Sequence, residues 1–122
     1  MLDLPSILVI DDNPTNFEVI EILLSSENYL LHFASSGQRA LDRLDIFHPD
    51  LILLDVMMPD LDGIEVCRRI RALSQWQVVP ILMVSAVTDR HDIERCRSAG
   101  ANGYIVKPVS RKELITNIAN LL

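Results

Sequence analysis

The sequence predicts a doubly wound α/β fold, a five-stranded parallel sheet covered by helices on both faces. Three observations lead there. Residues 7–10, 51–54 and 81–84 are wholly apolar, as strands buried on both faces are. Stretches with a helical period of apolar residues separate them. And 122 residues, 49% of them hydrophobic, suit one domain with one core.

Residues 7–10 read as the first strand. Asn13-Pro14 then supplies a cap and a first-turn proline for a helix whose inner face is Phe17, Ile20, Leu23 and Leu24. Residues 29–34, with His32 inside, form a more mixed second strand, and Ala40, Leu41 and Leu44 mark the second helix. The third strand, 51–54, precedes a helix marked by Val66, Cys67, Ile70 and Leu73. The helix after the fourth strand, 89–99, is weaker: Ile93 and Cys96 are its only firm apolar pair, and Gly100 stops it. Residues 102–106, with Gly103 inside, are a mixed fifth strand. Ser110-Arg-Lys-Glu113 is a capping box opening a fifth helix with Leu114, Ile115, Ile118 and Leu121 inward. Every connection between strands is long enough for a right-handed crossover helix, so the sheet is parallel. The wholly apolar strands are the first, third and fourth, and the mixed ones suit the edges. That pattern fits the spatial order 2-1-3-4-5, which is flavodoxin-like.

Seventeen acidic against eleven basic residues give a net charge of -6. The basic residues are scattered, which argues against a nucleic-acid surface. The longest nearly apolar stretch, 78–87, is about half a membrane span and contains Pro80. The start carries no basic leader, so no membrane segment is expected and the expected location is the cytoplasm. Cys67 and Cys96 lack metal-ligand spacing and fall on inner helix faces; reduced core thiols are expected.

In open α/β sheets, ligands bind beyond the carboxyl ends of the strands, where strand order reverses. The first strand ends in Asp11-Asp12, the third in Asp55, the fourth in Ser85 and the fifth in Lys107-Pro108. Strands one and three are neighbours across the reversal, so three carboxylates meet there beside a hydroxyl and an ammonium. Such carboxylates repel one another and partly protonate unless a cation neutralises them. Only oxygen ligands are on offer, so Mg2+ is the expected ion, Mn2+ or Ca2+ are substitutes, and zinc is disfavoured. One carboxylate can then attack a phosphoryl group, with Lys107 balancing charge and Ser85 donating a hydrogen bond. Singly, each residue has a plainer explanation: Asp11-Asp12 or Asp55 as a turn or cap, Ser85 as a helix cap, Lys107 as a solvated strand end. Together on one edge they favour the chemical one.

The motifs that carry this pattern are ILVIDDNPTN at 7–16, DLILLDVMMPDLDG at 50–63, PILMVSA at 80–86 and GANGYIVKP at 100–108. With them the chain resembles, over essentially its whole length, the receiver domains of two-component response regulators of the chemotaxis-regulator kind. The resemblance implies that Asp55 is the phosphoacceptor and that Asp12 binds Mg2+ directly. It implies Asp11 as a ligand acting largely through water, with the Met57 backbone carbonyl completing the protein ligands. Ser85 is implied as the residue that turns toward the phosphoryl group, Lys107 as its charge partner and Tyr104 as an aromatic switch. The bond before Pro108 is usually cis in the family. Ser85 in place of a frequent Thr, and Val109 in place of a frequent bulky aromatic, lie within the family's variation.

What the resemblance implies about function is a phosphorelay. The donor is a sensor histidine kinase, a histidine phosphotransfer protein or a small phosphodonor; His32, His48 and His91 have no kinase-type setting, so it is external. The phosphorylated state gains contacts with Ser85 and Lys107 that the other lacks, and that difference shifts the population. Tyr104 then moves inward, remodelling the surface of the fourth helix, fifth strand and fifth helix for an effector domain or protein. The chain is expected to be a signalling domain rather than an enzyme, although it assists its own phosphotransfer and dephosphorylation.

Met57 and Val87 each lie two positions past a site residue and flank the path of an attacking water. Both are apolar, so slow self-dephosphorylation is expected. Trp76 precedes the fourth strand and is expected at the far end of the sheet from Asp55. The competing reading is a pseudo-receiver that binds partners without phosphorylation, which would normally have lost a site residue. A phosphatase of the haloacid dehalogenase class would want an acid at Met57, and a flavin carrier would need a phosphate-cradling loop where Asp11-Asp12 repels phosphate. Residues 1–122 are expected to be one receiver domain, either a whole single-domain regulator or a part of a longer regulator or hybrid kinase. NPTN at 13–16 and KPVS at 107–110 somewhat resemble receivers of hybrid kinases.

Overall fold

Five strands alternate with five helices in the computed structural model, which describes residues 4–122. Residues 1–3, part of the start read as lacking a basic leader, lie outside the described residues. The elements are β1 Ser6–Ile10, α1 Pro14–Leu23, β2 Leu30–Ala34, α2 Gly37–Phe47, β3 Leu51–Leu54, α3 Gly63–Ala72, β4 Ile81–Ser85, α4 Arg90–Ser98, β5 Gly103–Val106 and α5 Arg111–Leu121. A short 3-10 helix, Ser74–Trp76, joins α3 to β4. All strand pairs are parallel, in the order β2-β1-β3-β4-β5, as the apolar pattern predicts.

The period-2 alternation of strands sorts the core into two layers. Leu8, Ile10, Ile52, Leu54, Ile81 and Met83 face α2, α3 and α4. Ile7, Val9, Leu51, Leu53, Leu82 and Val84 face α1 and α5, where Ile20, Leu114 and Ile118 meet them. The three central strands are therefore apolar on both faces, whereas β2 and β5, at the edges, are only partly covered. Cys67 and Cys96 are free thiols buried in the first layer. Burial pushes the Cys96 thiol up to about 11.

Each helix starts at a side-chain cap. Asn13 accepts from Thr15 N at 2.9 Å, Ser36 from Arg39 N at 3.1 Å, Asp62 from Glu65 N at 2.9 Å, Asp89 from His91 N at 2.7 Å and Ser110 from Glu113 N at 3.1 Å. Asn13 and Ser110 are the caps the sequence reading picks out; Asp62-Gly-Ile-Glu65 has the same spacing of cap and Glu, whereas Ser36 and Asp89 have neither a proline nor a Glu or Gln three residues on. Gly100 ends α4 with φ +113, a backbone conformation that L side chains rarely adopt.

Some boundaries differ from expectation. β2 and β5 start one residue later than the apolar runs suggest; before β5, the Asn102 side chain accepts from Ile81 N at 2.9 Å. Leu73 is not on the inner face of α3: the chain is extended there, Leu73 is 41% exposed, and Trp76 takes the buried place, 5% exposed. Trp76 lies at the amino-terminal end of the sheet, as expected: its carbonyl accepts from Arg71, which also binds Asn102 beside the start of β4.

Candidate functional site

β1 and β3 are neighbours, while the chain reaches β2 on one side of β1 and then crosses back to β3 on the other. The order reverses between them, and their carboxyl ends open a cleft there. Asp11 and Asp55 end the two strands and are 4% and 7% exposed; Asp12, one residue further, is exposed. One carboxylate oxygen from each of Asp11, Asp12 and Asp55 lies within 4.8 Å of the others. Lys107, just past β5, reaches over the sheet edge to place Nζ 3.4 Å from Asp11 Oδ2 and 3.7 Å from Asp55 Oδ2. Ser85, at the end of β4, is fully buried, and its carbonyl accepts from Lys107 N at 2.9 Å, tying the two strand ends together.

The cap explanation does not describe these residues, although Asp11, Asp55 and Ser85 each accept from the backbone N–H two residues on, as turn residues do. Asn13, not Asp11 or Asp12, caps α1, and Asp89, not Ser85, caps α4. Asp11 is instead held as an acceptor, from Asn13 N at 3.0 Å and from Asn16 Nδ2 at 3.2 and 3.0 Å to its two oxygens. Asp55 Oδ1 accepts from Met57 N at 3.3 Å, and Asp55 N donates to Ile10 O at 3.0 Å. Burial pushes the Asp55 carboxyl above its ordinary range; Lys107 opposes, Asp11 reinforces, and hydrogen bonds from Met57 N and Ser85 oppose again. Three carboxylates with oxygen donors only, one of them open to solvent, fit a hard divalent cation.

Residues 7–119 match the family model described as the response regulator receiver domain. The chain belongs to the response regulator receiver family. It is 40% identical over 112 residues to the DNA-binding response regulator MtrA of Mycolicibacterium smegmatis, covering 92% of this chain and 48% of that protein. The receiver thus spans about half the length of the curated relatives it matches. Its fold superposes on the chemotaxis protein CheY4 of Vibrio cholerae with a TM-score of 0.92 at 28% identity, covering 98% of this chain and 100% of that one. With the receiver domain of the Pseudomonas aeruginosa sensor histidine kinase PA1611, a structure with magnesium coordinated in its active-site cleft, the TM-score is 0.88 at 35% identity, each chain 98% covered. No helix among the described residues is long and apolar enough to cross a membrane.

Met57, Val87, Tyr104 and Pro108, also singled out in the sequence, follow the carboxyl ends of β3, β4 and β5 or lie within β5. The Tyr104 ring packs against the α2–α4 layer and its hydroxyl donates to Val87 O at 2.6 Å. In this arrangement the Tyr104 side chain is half-buried. Met57 points outward, 65% exposed, and Val87 is half-buried against the core. The Lys107-Pro108 bond is cis, as the resemblance implies. Two residues have no role assigned by the sequence pattern. Asn16 orients Asp11, and its signal is only its place one turn into α1. Gly63 lets α3 approach the end of β3: a Cβ there would lie 2.0 Å from Asp55 O.

Proposed function

We propose that this receiver accepts a phosphoryl group on Asp55 from a phosphohistidine of a sensor histidine kinase or histidine phosphotransfer protein, or from a small phosphodonor. The observation that carries the proposal is the environment of Asp55: a buried carboxylate whose open side faces a lysine 3.7 Å away and two further carboxylates. Asp12 and Asp55, the Met57 carbonyl, and Asp11 largely through water, are the groups that would hold Mg2+. When bound, that ion supplies positive charge against the phosphoryl oxygens.

Phosphoryl transfer needs positioning and charge balance more than acid-base help. Burial keeps Asp55 poorly solvated and basic enough to act as nucleophile, while Lys107 favours its ionised form. As charge moves onto the phosphoryl oxygens, Lys107 exchanges its carboxylate partners for them. The Ser85 hydroxyl, whose oxygen accepts from Val87 N at 3.4 Å and whose hydrogen bond steadies the Asp55 carboxylate, donates to a phosphoryl oxygen instead. Those new contacts pull on the β4–α4 loop, where Tyr104 holds Val87, and so alter the surface of α4, β5 and α5 for an effector domain or protein. This is switching rather than enzymatic turnover on a second substrate, and we place it in the cytoplasm.

Intact-mass measurement with acetyl phosphate, with and without Mg2+, on this chain and on Asp55→Asn tests the proposal. One phosphoryl group gained only with both the metal and Asp55 supports it. Phosphorylation that persists in Asp55→Asn, or its absence with both acetyl phosphate and a phosphorylated histidine phosphotransfer protein, overturns it.

A further inference from the structure

The open edge of β2 plays no part in the phosphoryl site. In a parallel ladder each residue directs its N–H and C=O to the same side. Leu30 N donates to Pro5 O and Ala34 O accepts from Asp11 N, so the even-numbered residues of β2 face β1. Leu31 and Phe33 therefore turn their backbone groups toward the open edge. That edge is apolar: Leu30 is 49% exposed, and the strand LLHFA contains neither proline nor lysine, the common guards of a free edge. Phe33 stacks on Phe17 at 4.8 Å on the α1 side, and His32 stacks on Phe47 at 5.0 Å on the α2 side.

A groove of about 260 Å³ follows this edge, lined by Phe33, Ala34, Ser35, Arg39, Arg43 and Phe47. Both arginines are exposed, and neither takes part in an ion pair among the described residues. Asp42, on the same helix, instead accepts from Gln38 Nε2 at 2.9 Å. Arg39 and Arg43 are four residues apart on a helix, which sets their Cβ atoms roughly 5–6 Å apart. Alternate residues of an extended strand are about 6.7 Å apart, a close match.

We propose that the β2 edge is a docking site for an extended, acidic partner segment that adds as a sixth strand. Its carboxylates, at alternate positions, meet Arg39 and Arg43, and the apolar residues between them lie on the side of the Phe17–Phe33 pair. A small anion would use the arginines but leave the open backbone groups and apolar edge without a role, which is why the segment is the better fit.

The test is fluorescence polarisation with a labelled peptide of alternating glutamate and valine. Its lysine-valine counterpart, a version N-methylated at alternate residues, and ATP and inorganic phosphate serve as competitors and controls. Saturable binding of the acidic peptide alone is expected, weakened about tenfold in an Arg39→Gln/Arg43→Gln variant whose circular dichroism and melting are unchanged. Amide exchange at Leu31 and Phe33 is expected to slow in the complex. No binding, equal binding of the lysine peptide or of the N-methylated one, binding that survives the double substitution, or unprotected Leu31 and Phe33 would each overturn the proposal. Binding of ATP or phosphate without the peptide would overturn it in favour of a small-anion pocket.

Discussion

Asp55 is a carboxylate placed where water solvates it poorly, and that placement affects stability as well as chemistry. Burial raises its pKa above the ordinary value, with Lys107 and two hydrogen bonds pulling back. The folded state therefore holds a proton here at pH values where the unfolded chain has already lost it. Ionised Asp55 costs stability above the raised folded pKa, and the cost fades as pH falls through that value. Asp55→Asn is expected to raise the melting temperature by several degrees at neutral pH without divalent cations, with the gap closing in acid; melts of both proteins between about pH 8 and about pH 4 check it. Met57 and Val87 give a second expectation at this scale. Neither side chain can orient a water beside the acyl phosphate, so polar residues at both positions should shorten the phosphoryl lifetime roughly tenfold, the worth of about one hydrogen bond. Intact mass followed over time reads it, and an unchanged lifetime would refute the idea.

The helices differ in how firmly they are tied down. α4 buries only Cys96, and the neighbouring Ala99 is also covered, so its amino-terminal half lies on the surface. Its carboxyl end is held by Arg71 of α3. That guanidinium donates to Gly100 O at 3.1 and 2.9 Å, to Trp76 O at 3.0 Å and to Asn102 Oδ1 at 2.9 Å. Gly100 has no Cβ, and one there would lie 2.7 Å from Arg71 Cγ, so the close approach needs glycine on one side and arginine on the other. Arg71→Met keeps most of the packing but strands two carbonyls, and is expected to cost about 2–3 kcal/mol, read as a lower urea midpoint with an unchanged slope. A loss under about 0.5 kcal/mol would mean that water replaces the guanidinium.

Across the whole molecule the sheet separates two ends with different duties. The carboxyl ends of β1, β3, β4 and β5 carry the carboxylate cleft where we propose the phosphoryl chemistry, and the amino-terminal ends carry the Arg71 clamp and Trp76. β4 alone spans about 13 Å between them, with a core fully buried on both faces. Trp76 should accordingly report global unfolding, while its fluorescence changes little on adding Mg2+ or a phosphodonor. A large quench on phosphorylation, with the protein still folded, would show that the clamp end moves with the site.

Apolar runs at 7–10, 51–54 and 81–84 and the polar residues that end them were sufficient to predict the strand order, the edge strands and the cleft with Asp11, Asp12, Asp55, Ser85 and Lys107. Central parallel strands must be apolar on both faces, and the ligand edge lies where they stop. Tertiary structure alone decided the rest. Asn16 holds Asp11, Gly63 admits α3 beside Asp55, Trp76 displaces Leu73 from the core, Tyr104 rests against Val87, and Arg39 and Arg43 share a groove with the open edge of β2. Asn16, Gly63 and Tyr104 stand inside motifs, but their contacts, like the others, join separate elements, and such contacts exist only once the helices are packed on the sheet.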